Sequence, residues 1–442
     1  MIISLPEDVN CIIEKLEKRG HEAYAVGGCV RDVYMGRTPH DWDITTSAEP
    51  DEIKEIFRKT IDTGLKHGTV TVRMHGESYE VTTYRIDGEY EDGRHPKEVK
   101  FTKSLEEDLK RRDFTVNAMA YNCTKGLVDL FDGKEDLEKK VIRCVGDPKE
   151  RFTEDALRMM RAIRFSAQLG FSIEEKTYDA IKELAPTLDR ISAERIREEM
   201  MKLLTSDEPE KFRLFYDTGL TKVFMPEFDV CMQTPQNTKH HDKNVGEHTL
   251  FVLGGVKNTP VLRLAALFHD IGKPGKRTTD EAGNDHFYKH PLLSEDLTKD
   301  IMNRLKFDND TKYRVCKLVL YHDERPALNE KSVRRSMAKL GADCFPDMYY
   351  LKEADIKGQS AYKREEKLKN LETYRRLCEE VFEKQQALSV KDLKITGKDL
   401  LEIGIPQGKE LGATLKRLLD AVIEDPEKNE RETLLGMARQ KV

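Results

Sequence analysis

No stretch of about 18 consecutive apolar residues occurs in the chain, so a membrane-spanning helix is excluded. The opening segment MIISLPEDVN lacks the basic-then-apolar pattern of a signal peptide. Eight cysteines are scattered without a single C-x-x-C pair, which removes the usual signal for a zinc ribbon or a disulfide framework. A reducing, cytoplasmic setting is expected. An excess of positive charge is also missing: 75 Lys and Arg stand against 81 Asp and Glu, a formal net charge of −6. Composition alone therefore suggests no polyanionic partner, and any basic surface must be local and offset by acidic faces elsewhere. Internal repeats and a low-complexity tail are absent too.

What remains is a chain of 442 residues, 35% charged and 38% hydrophobic, the profile of a soluble, helix-rich protein of several domains. Roughly the first 145 residues alternate short β-branched runs with helical patterns. Ala23–Val26 reads as a strand ending at Gly27-Gly28, and Pro50–Lys59 as a helix with proline near its start. Thr69–Met74 and Tyr79–Arg85 read as paired strands with His75-Gly76 between them. Asp87–Pro96 (DGEYEDGRHP) has the composition of a mobile loop. Ser104 and Glu107 form a capping-box pattern before a helix carrying Arg111 and Arg112. After Gly146-Asp147-Pro148 the strand signals nearly stop and the patterns become helical. Cys231–Gly246 looks like a linker or long loop, and Lys363–Gln385 like a charged, unbroken helix.

The first chemical constellation is Gly27-Gly28-Cys29-Val30-Arg31-Asp32, two glycines between a strand and a helix. Without side chains at Gly27 and Gly28, backbone N–H groups can approach a phosphate, and Arg31 can grip the same phosphates bidentately. Asp41-Trp42-Asp43 follows and leads into Ile44-Thr45-Thr46, a strand pattern. On a strand, residues i and i+2 share a face, so both carboxylates point the same way. Two such charges call for a cation between them, and magnesium, a hard oxygen-seeking ion, is the expected one. Metal held by Asp41 and Asp43 would activate a hydroxyl and stabilise a leaving pyrophosphate.

These segments resemble the polymerase-β-type nucleotidyltransferases, in particular the bacterial (class II) CCA-adding enzymes and their poly(A) polymerase relatives. The resemblance rests on GGCVRD at Gly27–Asp32, GRTPHDWD at Gly36–Asp43, RRDFTVNAMA at Arg111–Ala120 and EDALRMMRAIRF at Glu154–Phe165. A fainter piece is ERIREE at Glu194–Glu199. It implies that Arg112, Asp113 and Asn117 contact the triphosphate and ribose of an incoming nucleotide. It also assigns base reading to Asp155 and Arg158. Their i,i+3 spacing behind a capping Thr153 predicts one helix face offering an acceptor beside a donor. Cytosine and adenine match that order; guanine and uracil present the reverse and would leave buried groups unpaired. Arg161 and Arg164 continue the basic stripe and are expected to support nucleotide or primer. Glu80 is either a third carboxylate near the metal or a surface glutamate.

The implied reaction is template-independent addition of C, C and A to the 3′ end of tRNA, using CTP and ATP and releasing pyrophosphate. The intact Asp87–Pro96 loop and the stretch Thr63–Val70 (TGLKHGTV) favour this over CC-only and poly(A) relatives, while an A-only enzyme keeps nearly the same motifs. A phosphohydrolase with a nucleotide-binding head and an RNA-binding factor without catalysis would also account for parts of this pattern.

The helical half carries His248, the pair His269-Asp270 in ALFHDIGKP, His290, His322 and Asp355. Imidazole and carboxylate together suit divalent metals. The His-Asp pair followed by Gly-Lys resembles the HD phosphohydrolase superfamily, which implies His248, His269, Asp270 and Asp355 as ligands of a divalent metal of unknown identity. His290 and His322 would serve a second metal or a substrate phosphate. The expected architecture is multidomain α+β: a polymerase-β-like head at 1–146, an all-α neck at 147–228, an HD-type helical domain at 229–360 and a helical tail at 361–442.

Overall fold

The computed structural model describes residues 4–88 and 99–440. Most of the loop expected at Asp87–Pro96 lies outside the described residues. The chain divides into two units, one ending at Pro226 and the other starting at Glu227.

Among the described residues the first unit has eleven strands: β1 Ala23–Val26, β2 Asp43–Thr46, β3 Thr60–Gly64, β4 Thr69–Met74, β5 Glu77–Thr83, β6 Arg85–Asp87, β7 Val99–Phe101, β8 Met119–Asn122, β9 Gly126–Asp129, and a short parallel pair, β10 Val141–Ile142 and β11 Ser172–Ile173, whose second member lies in the neck expected to be all-α. Seven form one sheet in the order β3-β4-β5-β2-β1-β8-β9, and β6 pairs with β7 apart from it. All four residues of β1 are buried, as a central strand of Ala, Tyr, Ala and Val requires. The helix Glu7–Glu17 places Val9, Ile12, Ile13 and Leu16 on one stripe and buries it. β4 and β5 form a hairpin through His75 and Gly76, both at positive φ (47° and 95°), the two-residue turn that suits strand twist. β2 runs parallel to β5, and this pairing sets Asp43 opposite Glu80.

The helical neck begins with Pro148–Glu154, capped by Asp147, whose side chain accepts from the Lys149 N–H. The chain breaks at Asp155 and resumes as Leu157–Leu169, which packs on Ala193–Leu204. Phe212, Phe215 and Phe224 close the end of this unit in edge-to-face contacts, with centroids 5.4 to 6.3 Å apart.

The second unit is helical among its described residues except for the two-residue pair Thr278–Thr279 and Asp285–His286. One core cluster centres on Val333, Met337, Cys378 and Val381, another on Leu400, Leu418, Val422 and Leu434. The charged helix expected near 363–385 spans Arg364–Glu383. The linker expected over Cys231–Gly246 is shorter than that: its first residues complete the helix Pro226–Gln233, and its last begin Val245–Gly255. No helix among the described residues is long and apolar enough to cross a membrane. All eight cysteines are free thiols.

Candidate functional sites

In the head, β1 ends at Gly27, where φ is +82°, a conformation that L side chains rarely adopt. A Cβ built there would stand 3.0 Å from Nη1 of Arg112, so the bare turn is what lets this guanidinium lie over it. Gly28 then opens the helix Gly28–Tyr34, and Arg31 in its first turns is buried. Arg31 donates to Asn117 Oδ1 at 2.6 Å and to Asp32 Oδ1 at 2.9 Å. Asn117 in turn donates to Asp113 Oδ1 at 3.2 Å. Gly27→Ala is expected to cost about 1–2 kcal/mol from the backbone alone. It should also displace Arg112, read as a further drop in melting temperature.

Asp41 and Asp43 are both exposed at the entrance to β2, and Glu80 occupies the register position beside Asp43 on the neighbouring strand. The Asp43 carboxyl is pushed above its usual value, first by partial desolvation even though the residue reaches solvent. Arg112 opposes this, and the like charges of Glu80 and Asp41 reinforce it. The strand pairing puts Glu80, itself exposed, in register beside Asp43.

The base-reading residues differ from expectation. Asp155 and Arg158 do not share one helix face, because the chain breaks at Asp155. Thr153 caps nothing; its hydroxyl donates to the Lys149 carbonyl four residues back. Asp155 itself caps the following helix, accepting from the Leu157 N–H at 3.1 Å. Its two oxygens are forked by Arg195, at 3.2 and 2.7 Å. Arg158 pairs with Glu154 at 2.5 Å and donates to the carbonyls of Arg111 and Arg151. Both residues therefore sit where the head meets the neck helix, each fixed by a partner other than its expected one. Arg195 lies in the ERIREE stretch, and nothing in its spacing announces a partner 40 residues away.

Arg161 and Arg164 are not a solvated stripe. Arg161 forks Asp113 Oδ2 at 2.8 and 2.6 Å, and Arg164 pairs with buried Glu199 at 2.6 Å. The guanidinium groups of Arg31, Arg161 and Arg164 all lie within 5.4 Å of the Phe165 ring centroid. Burial works to raise the Asp113 carboxyl, and Arg161, aided by Asn117, overcomes it and holds it at about 2. That value is below the ordinary 3.8. The pair's contribution to stability is thus complete above about pH 4 and is lost as pH falls through about 2.

In the second unit, five helices bring six side chains together. His248 lies in Val245–Gly255, His269 and Asp270 just past Pro260–Phe268, and His290 opens His290–Arg304. His322 follows Asn309–Tyr321, and Asp355 lies in Phe345–Gly358. A Cβ on Gly272 would clash with the backbone of His290 and Ser294, so only glycine lets that helix approach the His-Asp turn. His269, His290 and His322 each place Nδ1 against a carbonyl three residues earlier, at 2.8, 2.9 and 2.7 Å. Each Nδ1 must therefore carry the hydrogen, leaving the Nε2 lone pairs to face Asp270. Oδ2 of Asp270 is 3.2 Å from His269 and 3.7 Å from His248, while Oδ1 is 3.2 Å from His290 and 3.5 Å from His322. Asp355 Oδ1 is 2.9 Å from His248 Nε2. Among the described residues, His248, His269 and Asp270 form one group of ligand atoms within 4.8 Å of one another, and Asp270, His290 and His322 form a second. Lys273, the lysine of the Gly-Lys that follows the His-Asp pair, is buried with its ammonium 2.7 Å from Asp270 Oδ2 and 2.9 Å from Gln236 Oε1.

The sheet, with its glycine turn and the carboxylates at the start of its central strand, defines a polymerase-type head. Residues 23–143 match the family described as the poly A polymerase head domain. Residues 170–232 match "Probable RNA and SrmB- binding site of polymerase A", and 290–438 match a tRNA nucleotidyltransferase domain 2. The CCA-adding enzyme of Pediococcus pentosaceus is 38% identical over 433 residues, 97% of this chain and 96% of that one. The crystal structure of the Bacillus stearothermophilus CCA-adding enzyme in complex with CTP is 31% identical and superposes with a TM-score of 0.72, covering 97% of this chain and 95% of that chain. With the CCA-adding enzyme of Lactobacillus helveticus the identity is 54% over 218 residues, and there the chain spans about half of that relative's length, 54%. The chain belongs to the family of CCA-adding enzymes.

Proposed function

We propose that this chain adds C, C and A to the 3′ end of tRNA, taking the nucleotides from CTP and ATP and releasing pyrophosphate. The observation that carries the reading is the group of carboxylates Asp41, Asp43 and Glu80 at the start of the central strand β2, near Arg112, which lies over the Gly27 turn. The CTP complex of the Bacillus stearothermophilus relative supports it. We assign Asp41 and Asp43 as the magnesium ligands. Oxygen-only, like-charged and exposed, they fit that ion, and Glu80 beside them strengthens the fit. Bound magnesium would supply charge neutralisation on the triphosphate and make the 3′-hydroxyl more acidic.

The chain's own groups do the positioning. Arg31 and Arg112, at the glycine turn, hold the phosphates. Asp113 and Asn117, locked by Arg161 and Arg31, offer fixed acceptors and a donor to the ribose. Asp155 and Arg158 read the base edge, and the supporting contacts from Arg195 and Glu154 keep them oriented before the nucleotide arrives. Arg164 and Glu199 brace the helix beneath. The head, neck, histidine-bearing segment and tail then divide as 1–146, 147–228, 229–360 and 361–442.

Arg195 is a positioning residue in this scheme. Arg195→Ala is expected to lower CMP-over-UMP selectivity about tenfold, mainly through kcat, with Arg195→Lys recovering part of it. An unchanged selectivity ratio would show that Asp155 needs no such support. The reaction itself is tested with tRNA ending at the discriminator base and labelled CTP, ATP or both. Two residues from CTP alone and three from both nucleotides support CCA addition. Addition of a single residue from ATP alone, with none from CTP, marks an A-only enzyme, and long tails from ATP mark a poly(A) polymerase.

A second reading concerns the histidines. We propose that His248, His269, Asp270 and Asp355 hold a divalent metal, with His290 and His322 completing a second position through the other oxygen of Asp270. His290 Nε2 and His322 Nε2 face each other at 3.2 Å although the hydrogen of each ring is already committed to a carbonyl. His269 Nε2 is buried with no hydrogen-bond partner. Two lone pairs so placed require a cation or an extra proton between them. Metal there would supply an activated water for phosphate-ester hydrolysis. Dialysis against Mn2+ followed by elemental analysis should find bound metal, lost in His269→Ala and restored to the wild type after EDTA treatment and re-addition. A wild-type protein that retains no Mn2+ contradicts this assignment.

A further inference from the structure

Asp108, on the helix Leu105–Lys110, is a carboxylate with no exposed surface. Such a group is costly to bury unless its oxygens are filled by donors. Oδ1 accepts from Nε and Nη2 of Arg111, at 3.0 and 2.7 Å, and from the Arg85 backbone N–H at 3.4 Å. Oδ2 accepts from the Thr45 hydroxyl at 3.0 Å and faces Nη2 of Arg112 at 3.5 Å. Burial works to raise the Asp108 carboxyl, and Arg111 together with Arg112 overcomes it, so the group stays ionised.

The two partners of Oδ2 both belong to the head's site. Thr45 stands two residues beyond Asp43 on β2 and therefore on the same face of that strand. Arg112 points its other terminal nitrogen, Nη1, at the Gly27 turn, where a Cβ would stand 3.0 Å from it. Its Nε is buried with no hydrogen-bond partner. Among the described residues Asp108 is thus the carboxylate that fixes the direction of this guanidinium. At 3.5 Å the contact is longer than the about 2.7–2.9 Å of a full charge-assisted bond, so Arg112 is aimed while its charge stays available to a ligand. Arg111, at 2.7 Å, neutralises the carboxylate instead, and its carbonyl accepts from Arg158 Nη2 at 3.1 Å. A carboxylate serving only the fold would need no more than Arg111 and the Arg85 N–H; here the second oxygen gathers Thr45 and Arg112 as well.

We propose that Asp108 is a positioning residue for nucleotide binding. It holds Arg112 over the Gly27 turn, in register with Asp43 through Thr45, so that the guanidinium meets the triphosphate of the incoming nucleotide already oriented. The proposal deepens the nucleotide-binding reading of the head and rests on it.

Calorimetry of the full-length protein with CTP and Mg2+, without tRNA, tests it. Asp108→Asn keeps the shape of the side chain and one acceptor oxygen but removes the charge, and is expected to weaken CTP binding about tenfold. Arg112→Ala should weaken it at least as much. The double variant Asp108→Asn Arg112→Ala should then bind CTP no more weakly than Arg112→Ala alone, because the two residues act through one contact. Losses that multiply in the double variant show that Asp108 serves the fold and not Arg112, and overturn the proposal, as does an unchanged affinity in Asp108→Asn. If Asp108→Asn melts below the assay temperature, the same comparison is made in Asp108→Asn Arg111→Gln, which removes one charge of each sign and leaves no arginine stranded against a neutral amide. Wild-type protein that binds no CTP removes the reading of the head and this proposal together; wild-type binding with multiplying losses removes the proposal alone.

Discussion

Asp43→Ala is expected to lower CMP incorporation by about a thousandfold or more while leaving the melting temperature unchanged or slightly raised. A thousandfold corresponds to about 4 kcal/mol of transition-state stabilisation, the scale of a lost charge-neutralising contact at a reacting phosphate. The absence of a stability cost has a separate cause. Asp43 is exposed at the start of β2 and sits beside the like charges of Asp41 and Glu80, so the folded state gains nothing from its ionisation. Function and stability therefore pull in opposite directions at this position. Single-turnover incorporation and a thermal melt on the same preparation check both halves. A variant that loses activity only because it melts early would contradict the assignment.

Glu199→Ala is expected to have the largest effect on stability, about 3–5 kcal/mol, because it leaves a buried guanidinium without its counterion. Glu199 is buried on Ala193–Leu204 and holds Arg164 at 2.6 Å, with Arg161 and Lys202 at 4.0 and 3.6 Å. Burial pushes the Arg164 guanidinium down to about 10 and Glu199 opposes that shift, so the charge that stays buried is matched by this carboxylate. The guanidinium also packs on Phe165, whose edge meets Phe114 in the head at 5.7 Å. Loss of Glu199 should thus loosen the seam between head and neck and reduce incorporation as well. Glu199→Gln, which keeps an acceptor, should cost less. A denaturation midpoint for Glu199→Ala within error of the wild type would show that water, not Glu199, satisfies Arg164.

How much of this was legible in the sequence depended on the range of the interaction. β1 and β4 were readable to the residue because alternation and a Gly-bearing turn are local signals, whereas of Asp41 and Asp43, expected on one strand face, only Asp43 lies in β2. The His-Asp cluster was readable as a set of residue types, although five helices assemble it. The partners were not readable. Asp155 and Arg158 have helical spacing, yet Asp155 spends its side chain capping the next helix and receiving Arg195, so the chain turns between them. Arg161 and Arg164 were expected to support nucleotide or primer, and periodicity cannot see the partners they hold, Asp113 and Glu199, 48 and 35 positions away along the chain. Glu80 could be placed only once the parallel register of β2 and β5 was known. Each omission is a long-range pairing, and local pattern carries no trace of those.

CCA addition is tested most directly by the intact mass of a tRNA lacking its last three nucleotides, after incubation with the protein, magnesium and all four ribonucleoside triphosphates. The expected result is a single product heavier by two cytidylates and one adenylate, with no guanylate or uridylate incorporated and no longer tail. An unextended tRNA, a product containing G or U, or a run of adenylates would contradict it.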